Sequence, residues 1–182
     1  TVVAAYGRQS IVRTGDARQF TAVTRGRKID VCVGDQALAT LLPSNQAVIE
    51  SVLPRRNQLM RSDNWRAKRL AANIDQVAIV IAGSPPFSDD LLDRVLMSAQ
   101  NQQIDAVIIA NKADLADAMA LIEPRLQVYQ ALGYPVFRLA AKQSPDDTRA
   151  LLRDCLTGRT TLLVGQSGMG KSTLVNTLVP DA

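Results

Sequence analysis

The run Gly165-Gln166-Ser167-Gly168-Met169-Gly170-Lys171-Ser172-Thr173 constrains this chain more than any other feature. It fits the spacing G-x-x-x-x-G-K-[ST] in full. It follows an apolar stretch, Thr160 to Val164, that reads as a strand, and it opens a segment from Lys171 to Leu178 that reads as a helix. Glycines let successive backbone N–H groups turn towards one point, and the helix N-terminus adds positive potential there. Lys171 is placed to bring a point charge to the β- and γ-phosphates, and the Ser172 hydroxyl to coordinate Mg²⁺. The spacing therefore predicts a P-loop for a nucleoside triphosphate, built on an α/β fold.

A second motif selects the base. Asn111-Lys112-Ala113-Asp114 ends another apolar run, Ala106 to Ala110, which puts it on the ligand-binding edge of a parallel sheet. A carboxylate at Asp114 can accept from the ring N–H and the exocyclic amine of guanine together; adenine offers neither in that geometry. Asn111 can brace neighbouring loops, and the Lys112 stem can cover the base plane. The next strand ends at Ala140-Ala141-Lys142, where GTPases often carry Ser-Ala-Lys. The backbone N–H there meets the guanine carbonyl, so Ala141 and Lys142 join the expected site. Ala140 stands in the serine position and lacks its hydroxyl. GTP and GDP are the expected ligands, with Mg²⁺.

From Asn73 onwards strands and helices alternate. Gln76 to Ala82 reads as a strand buried on both faces. Ser88 can cap a helix whose first turn holds Asp89 and Asp90 and whose apolar face holds Leu91, Leu92, Val95, Leu96 and Ala99. A helix is expected from about Asp117 to Leu132, stopped by Gly133, then a strand from Val136 to Ala140 and a helix from Asp147 to Leu156. This rhythm implies a parallel sheet with helical crossovers. In most GTPases the phosphate loop comes first. Here the base motifs precede it, so the domain is read as circularly permuted, as surface-exposed, neighbouring termini allow.

The first part of the chain has another character. Ser10 to Val12, Gln19 to Val23, Val31 to Val33, Gln36 to Leu42 and Val48 to Leu53 are strand candidates, separated by turn signals such as Arg25-Gly26-Arg27 and Gly34-Asp35. Such short strands suit a small barrel. The oligonucleotide-binding (OB) fold leads; an SH3-like barrel would look similar. Residues 55–72 read as a basic linker holding Arg55, Arg56, Arg61, Arg66, Lys68 and Arg69, with Trp65 either stacking on a base or packing at the junction. Residues 1–72 carry 12 Lys/Arg against 5 Asp/Glu, a net +7, while residues 73–182 carry 9 against 12, a net −3. The excess suggests that the first part meets a polyanion, and those six cations are the RNA-binding candidates. The expected division is an OB-fold barrel over 1–54, a basic linker over 55–72 and a GTPase domain over 73–182.

Other classes drop out. With 2 Cys and 0 His, the stretch cannot assemble a structural zinc site of about four ligands, nor a Ser-His or Cys-His catalytic pair. Cys32 and Cys155 read as small core residues. The longest apolar runs are too short to cross a bilayer and Thr1 to Arg8 holds no signal-peptide core, so a cytoplasmic protein without a membrane partner is expected.

Taken together, these features resemble the bacterial small-ribosomal-subunit biogenesis GTPases, the RsgA or YjeQ family. The resemblance rests on the barrel with Val31-Cys32-Val33-Gly34-Asp35, the Arg-rich junction from Arg55 to Arg61, the permuted order of motifs, and the loop Gly165-Gln166-Ser167-Gly168 followed by Gly170-Lys171-Ser172. It implies a factor for late maturation of the 30S subunit that binds 16S rRNA through its barrel and whose GTPase is stimulated by the ribosome. Family members continue into switch segments with a D-x-x-G motif and a zinc-binding C-terminal domain. Neither stands between Thr1 and Ala182, so the α/β domain is expected to be incomplete, zinc is expected only in that missing domain, and no catalytic residue is named. The usual GTPase sheet implies the strand order Thr160–Val164, Gln76–Ala82, Ala106–Ala110, Val136–Ala140. Rival readings are a permuted GTPase of large-subunit assembly and an RNA-binding P-loop NTPase of other function.

Overall fold

The computed structural model describes residues 1–26, 29–63 and 66–179, and its contacts fall into two compact units, Thr1–Ile74 and Asp75–Ala182. The first unit carries a five-stranded sheet: β1 (Val2–Tyr6), β2 (Gln9–Arg13), β3 (Gln19–Thr24), β4 (Ala37–Leu42) and β5 (Gln46–Val52), in the order β1-β2-β3-β5-β4. All neighbours are antiparallel except β3 and β5, which run parallel. Alternate residues of β2 and β3 point inward, and Val2, Val12, Phe20, Ala22, Ala47 and Ile49 form the core. The β1 strand was not foreseen, because its Val-Val-Ala-Ala-Tyr run lacks the apolar–polar alternation of a half-buried strand.

Two expectations are corrected in this unit. Val31 to Val33 is not a strand. The Cys32 N–H is taken by the Asp35 carboxylate at 2.8 Å, and the Asp35 N–H donates back to the Cys32 carbonyl, so the segment closes into a turn instead of pairing. Residues 58–72 are not a plain linker. They form an antiparallel hairpin, β6 (Gln58–Asp63) and β7 (Arg66–Ala72), within the first unit. Its apolar positions, Leu59, Ala71 and Ala72, are buried at the open end of the hairpin; the density of charge between them masked the strand signal. Trp65 lies outside the described residues.

Asp35 ties this unit together. Its fully buried carboxylate receives Arg55 Nε at 2.6 Å and Nη2 at 2.8 Å as well as the Cys32 N–H, while its backbone carbonyl accepts from Val2. The paired carboxylate raises the Arg55 pKa, and burial, with the Asp35 charge behind it, pushes the Cys32 thiol up to about 11. Gly34 sits beside it with φ +91°, and a Cβ there would lie 1.9 Å from the Ala72 carbonyl oxygen, so only glycine lets the turn lie against β7.

The second unit is the expected parallel sheet. Its strands are β8 (Gln76–Ala82), β9 (Asp105–Asn111), β10 (Val136–Arg138) and β11 (Thr161–Val164), in the order β10-β9-β8-β11 and all parallel. Every residue of β8 is buried, as its continuous apolar run implied. The helices are α1 (Asp89–Asn101), α2 (Ala116–Ala131), α3 (Pro145–Leu156) and α4 (Lys171–Leu178). Ser88 caps α1 by accepting from the Leu91 N–H. The buried face of α1 is Leu92, Leu96 and Ala99; Leu91, expected on that face, is 37% exposed. Both cysteines are free. No helix among the described residues is long and apolar enough to cross a membrane.

Removing one partner of a buried ion pair leaves the other uncompensated, at a cost of about 3–5 kcal/mol. Asp35→Ala should therefore destabilise the first unit by about that amount, read as a lower urea midpoint for its transition. An unchanged midpoint would show that Arg55 and the Cys32 N–H find water instead.

Candidate functional site

Four loops gather at the C-terminal ends of the parallel strands, where open α/β sheets bind ligands. They are the β8–α1 loop (residues 83–88), the β9–α2 loop (112–115), the β10–α3 loop (139–144) and the β11–α4 loop (165–170). The second, third and fourth hold every nucleotide-site residue expected from the sequence apart from Asn111, which ends β9, and Lys171, Ser172 and Thr173, which open α4.

The structure joins two of these loops to the end of β9 through one side chain. The Asn111 amide is 2% exposed; its Nδ2 donates to the Met169 carbonyl at 2.9 Å and its Oδ1 accepts from the Ala141 N–H at 3.1 Å. Thr177 on α4 completes the clasp by donating to the Ala141 carbonyl at 3.1 Å. Gly170 is the close-approach point. Its φ is +89°, and a Cβ there would lie 2.3 Å from Asn111 Nδ2. A side chain at 170 would push the amide off both of its partners.

Within the β11–α4 loop, Gly165, Gly168 and Gly170 all have positive φ, and Met169 packs inward, 1% exposed. Gln166 is half-buried, Ser167 and Gly168 are exposed. Lys171 Nζ folds back on the loop, donating to the Gly165 and Gln166 carbonyls at 2.8 and 2.7 Å. That places a cation against the loop at the start of α4, the end of a helix whose first N–H groups have no intrahelical partner. Ser172 is exposed in the first turn of α4, and Thr173 is half-buried.

At the other end of the site Lys112 has φ +62°, and its Nζ donates to the Ser84 carbonyl at 2.9 Å. Asp114 is exposed, as is Lys142, while Ala141 is buried with its N–H directed at Asn111. The loop of residues 83–88 was not foreseen as part of this cluster. Its position directly after β8, the most buried strand, was the available signal.

The six basic candidates of the first unit are not one surface. Arg55 is turned inward onto Asp35, with an 18% exposed side chain. Arg69 pairs with Asp30 and donates to Gln58 Oε1. Arg56 is exposed and its guanidinium donates to the Asn73 carbonyl. Arg61, Arg66 and Lys68 lie on the β6–β7 hairpin, and their side chains lie outside the described part. Elsewhere in the unit Arg8, Arg13, Arg18 and Arg25 are exposed, and Tyr6, at the β1–β2 turn, is 70% exposed.

A family model described as RsgA GTPase matches residues 52–182. Proteins named small ribosomal subunit biogenesis GTPase RsgA from Paraburkholderia phymatum and Burkholderia pseudomallei are each 46% identical over the whole of this chain, covering 57% and 58% of their own lengths. The chain thus spans somewhat over half the length of these curated relatives. The crystal structure of YjeQ from Thermotoga maritima matches with a TM-score of 0.75 and 28% identity, over 100% of this chain and 64% of that one. YloQ, described as a circularly permuted GTPase, matches with a TM-score of 0.68 and 26% identity, over 98% and 63%.

The Asn111 clasp makes a prediction independent of ligand. Asn111→Ala strands the Met169 carbonyl and the Ala141 N–H, at about 1–3 kcal/mol for each buried unsatisfied group. Asn111→Asp should not rescue it, since a carboxylate oxygen would face the Met169 carbonyl. Thermal melts without nucleotide should show both variants below wild type; a wild-type melting temperature for Asn111→Asp would show that the clasp is not set by the donor.

Proposed function

This chain belongs to the RsgA GTPase family, and we propose that it binds GTP and GDP at the ends of β9, β10 and β11, as the nucleotide-binding part of a GTP-hydrolysing factor in small-subunit maturation. The observation that carries this reading is the Asn111 amide, which holds the base-side loops and the phosphate-side loop in one cluster. In this reading Asp114 accepts from guanine, the Lys112 stem lies along the base, and Ala141 and Lys142 flank the guanine carbonyl. Gly165 to Thr173 serve as a P-loop, wrapping the phosphates with backbone N–H groups. Lys171 releases its two loop carbonyls to take the β- and γ-phosphates.

An exposed hydroxyl at the first turn of α4 fits a hard-cation ligand, so Ser172 would hold Mg²⁺ alongside phosphate oxygens. Mg²⁺, when bound, neutralises charge that develops on those oxygens. The chain's own contribution is preorganisation. Loop N–H groups, the α4 N-terminus and Lys171 stand where charge accumulates as water attacks the γ-phosphate.

For the first unit we propose an OB-fold barrel that meets 16S rRNA of the 30S subunit, in the cytoplasm. Strand order β1-β2-β3-β5-β4 with a parallel β3/β5 pair supports the fold, and the net +7 of residues 1–72 supports a polyanionic partner. With Arg55 committed to Asp35, the exposed Arg8, Arg13 and Arg56 contribute to that attraction among the described residues.

Asp114→Asn exchanges a guanine acceptor for an amide donor. The variant should lose GTP and gain XTP, whose base has a carbonyl where guanine has its amine, with discrimination as large as roughly 10⁴-fold. Competition binding with the two nucleotides checks this, and unchanged GTP preference would displace Asp114 from the base.

A further inference from the structure

The β11–α4 loop has to keep an open, positive-φ conformation that glycines favour only weakly over others. Restraints from outside the loop therefore decide how well it is preorganised. Its C-terminal half is fixed by Asn111 on the Met169 carbonyl. Its N-terminal half is held in two ways. One is Lys171 on the Gly165 and Gln166 carbonyls, a tie that an incoming phosphate competes for. The other is the Gln166 side chain, whose Oε1 accepts from the Ser88 N–H at 2.9 Å. That N–H precedes the first turn of α1, so no helical carbonyl claims it.

The loop that receives Gln166 is itself anchored. Lys112 Nζ donates to the Ser84 carbonyl. Arg125 of α2 stacks its guanidinium 3.8 Å from the centre of the buried Phe87 ring, donates to the Phe87 carbonyl and pairs with Asp89 at 2.6 Å. Gly168 packs against Pro85, where an added Cβ would lie 3.1 Å from the Pro85 ring. The 83–88 loop is thus fastened to the base-side segment and to α2, and it offers the phosphate-side loop a fixed point.

We infer that Gln166 is a positioning residue: through the Ser88 N–H it docks the phosphate-side loop onto the anchored 83–88 loop, and that tie persists when Lys171 leaves for the phosphates. The inference rests on the nucleotide-site reading above and gives the Gln166 side chain a job other than touching nucleotide. Its backbone remains part of the phosphate cradle.

The test is Gln166→Met, which keeps length and volume but removes the acceptor. Three measurements on the intact protein are needed: GDP affinity by calorimetry, amide hydrogen exchange at Ser88, and melting temperature with and without GDP. GDP affinity should fall about fivefold, the size of one neutral hydrogen bond. The Ser88 amide should exchange faster in the GDP-bound variant than in GDP-bound wild type, and the melting temperature should fall more with GDP bound than without it. Unchanged affinity overturns the inference. So does weaker binding with unchanged Ser88 exchange, which would mean a direct contact between side chain and nucleotide. A melting temperature lowered equally with and without GDP overturns it as well, since the side chain would then be structural only. Failure of wild type to bind GDP would instead remove the nucleotide-site reading itself.

Discussion

The Asn111 amide stands at the end of β9 with almost no exposure, and it donates to one loop while accepting from another. An amide is the one side-chain group that offers a donor and an acceptor from adjacent atoms in a fixed plane. A carboxylate or an amine there would leave one backbone group orphaned in a dry site, at a cost comparable to a sizeable fraction of a domain's stability. Gly170 then follows from Asn111, because any Cβ at 170 collides with Nδ2. The bond from Asn111 to the Met169 carbonyl spans 58 residues of sequence, yet in space one amide serves both the β10–α3 and the β11–α4 loops.

The first unit shows the same logic with charge. Asp35 is buried without a trace of solvent and is matched by two nitrogens of Arg55 and one backbone N–H. Net positive charge in the sequence is therefore not the same as positive surface. Part of the cationic junction is consumed in holding the Gly34-Asp35 turn, and Arg69 is likewise turned towards Asp30. Among the described residues Arg8, Arg13 and Arg56 are exposed, as are Arg18 and Arg25, which pair with Asp16 and Glu50, and Tyr6 stands exposed at the β1–β2 turn.

The α/β unit was legible because its signals are local. The continuous apolar run of β8, the Ser88 cap and the glycine-rich loop each report their own conformation, and the strand order followed from the resemblance and agrees with the pairing β10-β9-β8-β11. The first unit was less legible. Val31 to Val33 has strand composition, but the Asp35 carboxylate outcompetes a ladder for the Cys32 N–H, a tertiary effect invisible to a short window. The hairpin of residues 58–72 was hidden because its apolar positions cluster at one end while Arg and Lys crowd the other. In the candidate site, spacing brought out the motif residues that the fold gathers at one end of the parallel sheet. The Ser84 to Ser88 segment was not, since its role comes from Lys112, Gln166 and Arg125 reaching it across the fold.

The central claim is that one cluster of loops reads a guanine base and holds its phosphates. Side-by-side calorimetric titration of the wild-type protein with GDP and ADP tests it most directly, without any variant. GDP should bind at a single site while ADP binds at least a hundredfold more weakly, the scale on which unpaired polar groups in a built site reject the wrong partner. Equal affinity for the two nucleotides, or binding of neither, would contradict it.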